Sequence, residues 1–458
     1  LMRPTYRIAV VGSGPSGMYA LEHLVKNKHV AIDADLFERL PAPWGLVRYG
    51  VAPDHPEKKL ISNRLYSNII SRANVRYFGN VEIGRDISNT ELASWYDGVI
   101  YASGANSDNA LEIPGEELTG SWSAREFVAW YNGHPDYSHL KFDLSCPRAV
   151  IVGNGNVALD VARILTLPIE ELRKTDIADH ALDALESSRI QEVVILGRRG
   201  YKNGAFNNPE LEELLHLDNI QVQVEDPEFL TDDESELQKL SWEARRKVET
   251  LRQLHKKKAG AVTKRIIFKF LSSPTALLGE DRLQHVQVKH NVPAHVPNGK
   301  QRVASDQFTS IDAGILFRAT GYRGTPLPEL PFDSKKAVIE NVHGRVTDNG
   351  VVINGIYCTG WIKRGARGVI GTNKQCAGET VACLIDDLRL TNTSRALSPE
   401  LVLSKIKERK PDFVTLADWL TIDRAEKERG ASQKRPRSKL CTTGDMLRIA
   451  RANSTELG

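Results

Sequence analysis

The run Ile8-Ala9-Val10-Val11-Gly12-Ser13-Gly14-Pro15-Ser16-Gly17 decides how the rest of the chain is read. Four apolar residues make a short buried strand, and the G-x-G-x-x-G turn after it opens a helix. In such a turn Gly12 allows the tight bend, Gly14 lets the backbone approach a pyrophosphate, and Gly17 permits close packing of helix on strand. The helix start then offers free N–H groups and the positive end of its dipole to phosphates. A second strand, Ala34-Asp35-Leu36-Phe37, follows at the right distance and ends in Glu38, the expected acceptor for ribose hydroxyls.

The pattern occurs twice. Ala149-Val150-Ile151-Val152 leads into Gly153-Asn154-Gly155-Asn156-Val157-Ala158, the permitted variant with alanine in the third small position. Its next strand, Val193-Val194-Ile195-Leu196, ends in Gly197-Arg198-Arg199-Gly200 rather than in an acid. A carboxylate there would accept from a free 2′-hydroxyl, whereas two guanidiniums suit a 2′-phosphate dianion through bidentate, charge-assisted bonds. The second unit is therefore expected to select NADP(H) over NAD(H). Two such units predict an α/β fold with two Rossmann-like dinucleotide-binding domains.

Each domain is expected to close on a further apolar strand ending in glycine, at Gly98-Val99-Ile100-Tyr101-Ala102-Ser103-Gly104 and at Ala313-Gly314-Ile315-Leu316-Phe317-Arg318-Ala319-Thr320-Gly321. On this reading the first domain is discontinuous, residues 1–105 and 331–458. The second, residues 106–330, is inserted into it. The stretch Asp232 to Lys258 is charge-rich with Leu237, Leu240, Leu251 and Leu254 at helical spacing, which reads as a solvated surface helix or hairpin. The basic tail after Lys427 (Arg429, Lys434, Arg435, Arg437, Lys439) reads as a loop before a short closing helix.

Composition is consistent with a folded soluble protein: 458 residues, 41% hydrophobic and 26% charged. A net charge of +3 is too small to argue for nucleic-acid binding. No apolar run reaches membrane-spanning length, and Leu1-Met2-Arg3-Pro4-Thr5-Tyr6-Arg7 enters a strand almost at once, so no signal peptide is expected. The five cysteines (Cys146, Cys358, Cys376, Cys383, Cys441) form no CxxC pair and no metal-ligand spacing. A cytoplasmic location is expected, with no metal site, no protein-borne iron–sulfur cluster and no redox-active disulfide.

Between the two glycine loops lies Pro43-Trp44-Gly45-Leu46-Val47-Arg48-Tyr49-Gly50-Val51-Ala52-Pro53-Asp54-His55-Pro56. This segment is very similar to the signature of the adrenodoxin reductase family, the NADPH–ferredoxin reductases of glutathione-reductase-like fold. The likeness continues in Gly153 to Arg163, in Gly197-Arg198-Arg199-Gly200, in Gly360-Trp361-Ile362-Lys363-Arg364-Gly365 and in Gly368-Val369-Ile370-Gly371-Thr372-Asn373. It runs over nearly the whole chain and looks closest to the actinobacterial members.

The resemblance implies FAD contacts at Ser16, Glu38, Leu46, Val81, Trp361, Gly368, Val369 and Ile370. It implies NADP contacts at Asn154, Gly155, Asn156, Val157, Arg198, Arg199, Glu210 and Gly368. It also implies an active-site couple of His55 with Glu213 near nicotinamide and flavin; from the residues alone, His55 would read as a loop histidine and Glu213 as a solvated helix acid. Two stretches depart from the family pattern: Tyr201-Lys202-Asn203 stand where Pro-Leu-Gln is usual, and Ala366-Arg367 where Pro-Thr is usual. Both are expected beside the nicotinamide approach.

The implied activity is hydride transfer from NADPH to FAD, followed by release of single electrons to an acidic ferredoxin-type iron–sulfur protein. Candidate docking charges are Lys363, Arg364, Arg367, Arg245 and Arg246. One alternative is an electron-feeding subunit resembling the small subunit of glutamate synthase, which wants an N-terminal cysteine cluster that this chain lacks. Others are a flavin monooxygenase and a non-enzymatic NADPH-responsive flavoprotein.

Overall fold

In the computed structural model, which describes residues 4–261, 264–296 and 299–452, the Ile8–Val11 run lies within the strand Thr5–Val11. Leu1, Met2 and Arg3 lie outside the described residues. The chain forms two units. One comprises the chain up to Asp108, Asn132–Asp136 and everything from Gly321 onward; the other comprises Asn109–Tyr131 and Tyr137–Thr320.

The first unit is built on a seven-stranded sheet in the order Asn341–Val342, Arg345–Asp348, Val351–Cys358, Gly98–Tyr101, Thr5–Val11, Ala31–Phe37, Val75–Phe78. The last five run parallel, and the first two add an antiparallel edge. Strands covered on both faces read as continuous apolar runs because alternate side chains enter different cores. Ile8 and Val10 pack with Met18, Leu21 and Leu24 of the helix Pro15–Lys26 and with Val381, Leu384 and Leu388 of the helix Thr372–Arg389. Ala9 enters the opposite core, with Trp95, Val99, Val402 and Ile406.

The second unit carries a six-stranded parallel sheet in the order Ser121–Ser123, Ile315–Arg318, Arg148–Val152, Glu192–Leu196, Lys264–Lys269, Ile220–Glu225. An antiparallel sheet of Ser272–Leu278, His285–Val296 and Gly299–Asp312 accompanies it. The charged insert forms two helices, Glu234–Gln238 and Trp242–Lys256, capped by Asp233 and Ser241. They are not fully solvated: Leu237, Leu251 and Leu254 are buried, so the insert is amphipathic and packs onto its own unit. No described helix is long and apolar enough to cross a membrane.

Candidate dinucleotide sites

In the first unit, Gly12 sits at φ 108°, and a Cβ there would come within 2.3 Å of the Ala102 carbonyl oxygen. A Cβ on Gly17 would lie 1.9 Å from the Gly12 carbonyl oxygen, so neither position accepts a side chain without moving backbone. The helix Pro15–Lys26 begins at Gly14 with Pro15 in its first turn, and no side chain caps it. Its first N–H groups are thus left to a ligand. Glu38 stands at the end of the next strand, where Oε2 accepts from Ser13 N (3.1 Å) and Ser13 Oγ (2.5 Å) and Oε1 accepts from Leu40 N (3.1 Å).

The other candidate FAD residues gather around this turn. Trp44 N donates to Ser13 O (3.1 Å), Gly45 lies against Gly14, and Leu46 opens a one-turn helix, Leu46–Tyr49. Val81 is buried, and its N–H reaches Glu38 O at 3.0 Å. Gly360, at φ 74°, presses on Ser16 and precedes the short helix Trp361–Arg364. Trp361 meets Tyr322 edge to face at 5.6 Å and donates from Nε1 to Arg367 O at 3.2 Å. Gly368 and Val369 are exposed, Ile370 half-buried, and they lead into the helix Thr372–Arg389, which also starts without a side-chain cap.

In the second unit, Gly153 repeats the conformation of Gly12, with φ 108° and a would-be Cβ 2.3 Å from Ala319 O. Around Gly155 the space is open, and the helix Asn156–Thr166 begins there uncapped. Asn154 Oδ1 accepts from Ala205 N (3.3 Å) and Asn156 Oδ1 from Asn207 N (2.8 Å), so both asparagines hold the segment before Glu210. Arg198 and Arg199 are exposed, and neither guanidinium is engaged by an acid among the described residues. Their turn is held by its main chain instead, through Asn291 Nδ2 to Arg198 O (2.9 Å) and Leu271 N to Arg199 O (3.0 Å).

His55 is buried in the first unit at the start of the helix Pro56–Ile70, its Nδ1 3.4 Å from Lys58 Nζ. Glu213, in the second unit, is half-buried and lies 3.7 Å from the buried guanidinium of Arg163, which also pairs with Asp160.

Residues 6–195 match the model of the pyridine nucleotide-disulphide oxidoreductases. Over 98% of its length the chain is 41% identical to the NADPH-ferredoxin reductase FprA of Mycobacterium leprae, of which it covers 99%. It is 40% identical to the mitochondrial NADPH:adrenodoxin oxidoreductase of Arabidopsis thaliana, over 98% of this chain and 96% of that one. The solved structure of Mycobacterium tuberculosis FprA in complex with NADPH superposes with a TM-score of 0.92 at 40% identity, covering 98% of this chain and all of the other. The chain belongs to the NADPH–ferredoxin and adrenodoxin reductase family.

Within that family frame, several charges read from sequence as docking charges are engaged by partners of the chain itself. Lys363 is buried: its Nζ donates to Glu379 Oε2 (2.5 Å), Thr380 Oγ1 (3.1 Å) and Cys376 O (3.3 Å), so it is no docking charge. Arg364 is half-buried and committed to Asn373 Oδ1 (3.0 Å). Arg246 forks onto Glu212 at 2.6 and 2.8 Å, and Arg245 donates to Gln238 O at 3.1 Å. Arg367 remains exposed.

The basic tail is drawn inward in part, with Arg429 and Lys434 left exposed. Arg435 and Lys439 are buried, and Arg437 Nη1 reaches Glu426 Oε1 at 2.7 Å. Glu426 also takes both terminal nitrogens of Arg48, each at 2.7 Å. Nothing local in the sequence flags this acid, which anchors the Trp44–Tyr49 segment from the helix Leu416–Ala431.

Proposed function

We propose that this chain is an NADPH–ferredoxin reductase, holding FAD in the unit of Gly12 and Glu38 and NADP(H) in the unit of Gly155, Arg198 and Arg199. The observation that carries this is the contrast between two otherwise equivalent turns. Both helix starts are uncapped, but one is followed by an acid held against its own glycine loop. The other is followed by two guanidiniums with no acid partner among the described residues. The first suits ribose hydroxyls and the second a 2′-phosphate.

FAD, when bound, accepts the two electrons of a hydride together and gives them up singly, which links NADPH to a one-electron iron–sulfur acceptor. The chain supplies binding and orientation. Ser16, Leu46, Val81, Trp361, Gly368, Val369 and Ile370 would hold the flavin nucleotide around the Gly14 helix start. Asn154, Gly155, Asn156, Val157 and Glu210 would hold the nicotinamide nucleotide, to which Gly368 is also assigned. His55 and Glu213 are assigned to orienting the nicotinamide and tuning charge near it; no residue need act as nucleophile. The cytoplasm is the proposed compartment, in keeping with five free cysteines.

The test is direct. Heat-released flavin from the purified protein should chromatograph as FAD, and NADPH-dependent cytochrome c reduction should rise on adding an acidic ferredoxin. FMN, no flavin, or a rate indifferent to every ferredoxin of the source organism would overturn the reading.

A further inference from the structure

The insert of residues 232–258 packs beside the Arg198–Arg199 turn's own continuation, and its contacts there are specific. Tyr201, directly after the turn, is 1% exposed; its N–H donates to Asp226 Oδ2 (2.9 Å) and its hydroxyl to Asp232 Oδ2 (2.7 Å). Its ring meets Phe229 edge to face at 5.2 Å, and Lys202 pairs with the same Asp232. Burial, and then the Asp232 carboxylate, push the Tyr201 phenol well up, so it remains a donor. Three residues on, Gly204 O accepts from Lys247 Nζ at 2.6 Å, and this ammonium lies 5.3 Å over the Phe206 ring. Lys247 comes from the insert helix Trp242–Lys256. Burial lowers its pKa; Glu243 opposes this, and Arg199 adds to it.

Residues 201–207 are therefore a strut with three fixings. One end continues the guanidinium turn, the middle is tied to the insert, and the far end is held by Asn154 and Asn156 at the pyrophosphate helix start. We propose that the insert sets the preference for NADPH, with Tyr201 and Lys247 as positioning residues that hold the Arg198–Arg199 turn ready for the 2′-phosphate. The inference rests on the reading of Arg198 and Arg199 given above. Its physical basis is preorganisation: two mobile guanidiniums on a tethered backbone lose less freedom on binding than on a loose one. Only NADPH carries the dianion they grip, so loosening the strut acts on NADPH and spares NADH.

Tyr201→Phe removes only the hydroxyl that Asp232 accepts from, and Lys247→Met only the ammonium. Each should raise the KM for NADPH about three- to tenfold, the size of a single hydrogen bond. The KM for NADH should stay within about twofold and any change in kcat should be smaller than that in KM. Inhibition by 2′,5′-ADP should weaken in parallel and inhibition by 5′-AMP should not. Lys247→Arg should recover part of the loss. Lys239→Ala, on an exposed insert residue paired with Glu236, should change nothing. Equal rises in both KM values would mean a merely structural role, and an unchanged KM for NADPH would mean no role; either overturns the inference. The double change of Arg198 and Arg199 to Ala, run beside them, separates the two failures. If it abolishes the NADPH preference while Tyr201→Phe and Lys247→Met do not, the inference alone falls. If it does not, the site reading falls and the inference with it.

Discussion

Glu426→Gln should destabilise the first unit by several kcal/mol at neutral pH and by progressively less in acid. The carboxylate is fully buried and accepts from Arg48 Nη1 and Nη2, Arg437 Nη1 and Leu440 N, each at 2.7 Å. Burial by itself would push this carboxyl up, but the Arg48 and Arg437 guanidiniums and the Leu440 N–H outweigh it and hold it at about 2, against an ordinary 4.5. That difference corresponds to roughly 3 kcal/mol favouring the ionised folded state. Because the folded value is depressed, the contribution is fully present above about pH 4.5 and is lost as the pH falls towards 2. Glutamine keeps the shape but leaves Arg48 buried without its anion, a defect that typically costs about 3–5 kcal/mol. For a unit of this size the melting temperature should fall by about 10 °C near pH 7. Arg48 lies in the Trp44–Tyr49 segment against the glycine loop, so flavin should also be released at lower temperature. Thermal scans by circular dichroism and flavin fluorescence, repeated from pH 7 to pH 3, check both. A gap under about 1 kcal/mol at pH 7, or one that does not narrow in acid, would refute the reasoning.

Three further outcomes are expected. Arg198→Ala or Arg199→Ala should each weaken NADPH binding about tenfold to a hundredfold, from roughly 1.5–3 kcal/mol, and the steady-state KM for NADPH should rise towards that for NADH, which changes far less. His55→Gln and Glu213→Ala should slow reduction of the flavin by NADPH in stopped flow yet leave FAD bound; wild-type rates in both variants would remove them from the site. Ferredoxin-coupled turnover should fall as salt shortens the Debye length from ~10 Å at 0.1 M to ~3 Å at 1 M, and Arg367→Glu should lower it at low salt while the ferricyanide rate changes much less. A coupled rate indifferent to salt and to this reversal would displace Arg367 from the docking surface.

What the sequence disclosed is what chain-local chemistry encodes. Gly12 and Gly153 were legible because a tight βα turn needs a positive φ, and each appears after four apolar residues. Glu38, Arg198 and Arg199 were legible because a strand end fixes them at a set distance from their glycines. Leu237, Leu251 and Leu254 gave the insert helices their spacing, but the surface they bury against cannot be read from spacing. Glu426 was invisible for a different reason: it meets Arg48 across 378 positions of sequence, and an acid on a helix with Lys427 and Glu428 beside it reads as one more solvated charge.

Basic residues show where that kind of reading stops and what replaces it. Lys363, Arg437 and Lys439 look in sequence like Arg198 and Arg367: long cations near glycine, proline or other charges. In the fold the first three leave water and each finds acceptors, Glu379 for Lys363, Glu426 and Asp423 for Arg437, and the carbonyls of Arg48 and Asn132 for Lys439. A buried cation that lacked such partners would cost several kcal/mol, so burial and pairing come together. An exposed guanidinium is under no such demand, and one left without an acid beside an uncapped helix start keeps its donors free for an anion. Among the described residues Arg198 and Arg199 meet that condition and Arg246, forked onto Glu212, does not. The distinction lies in partners rather than in residue type, and it separates the cations that hold this protein together from those available to a ligand.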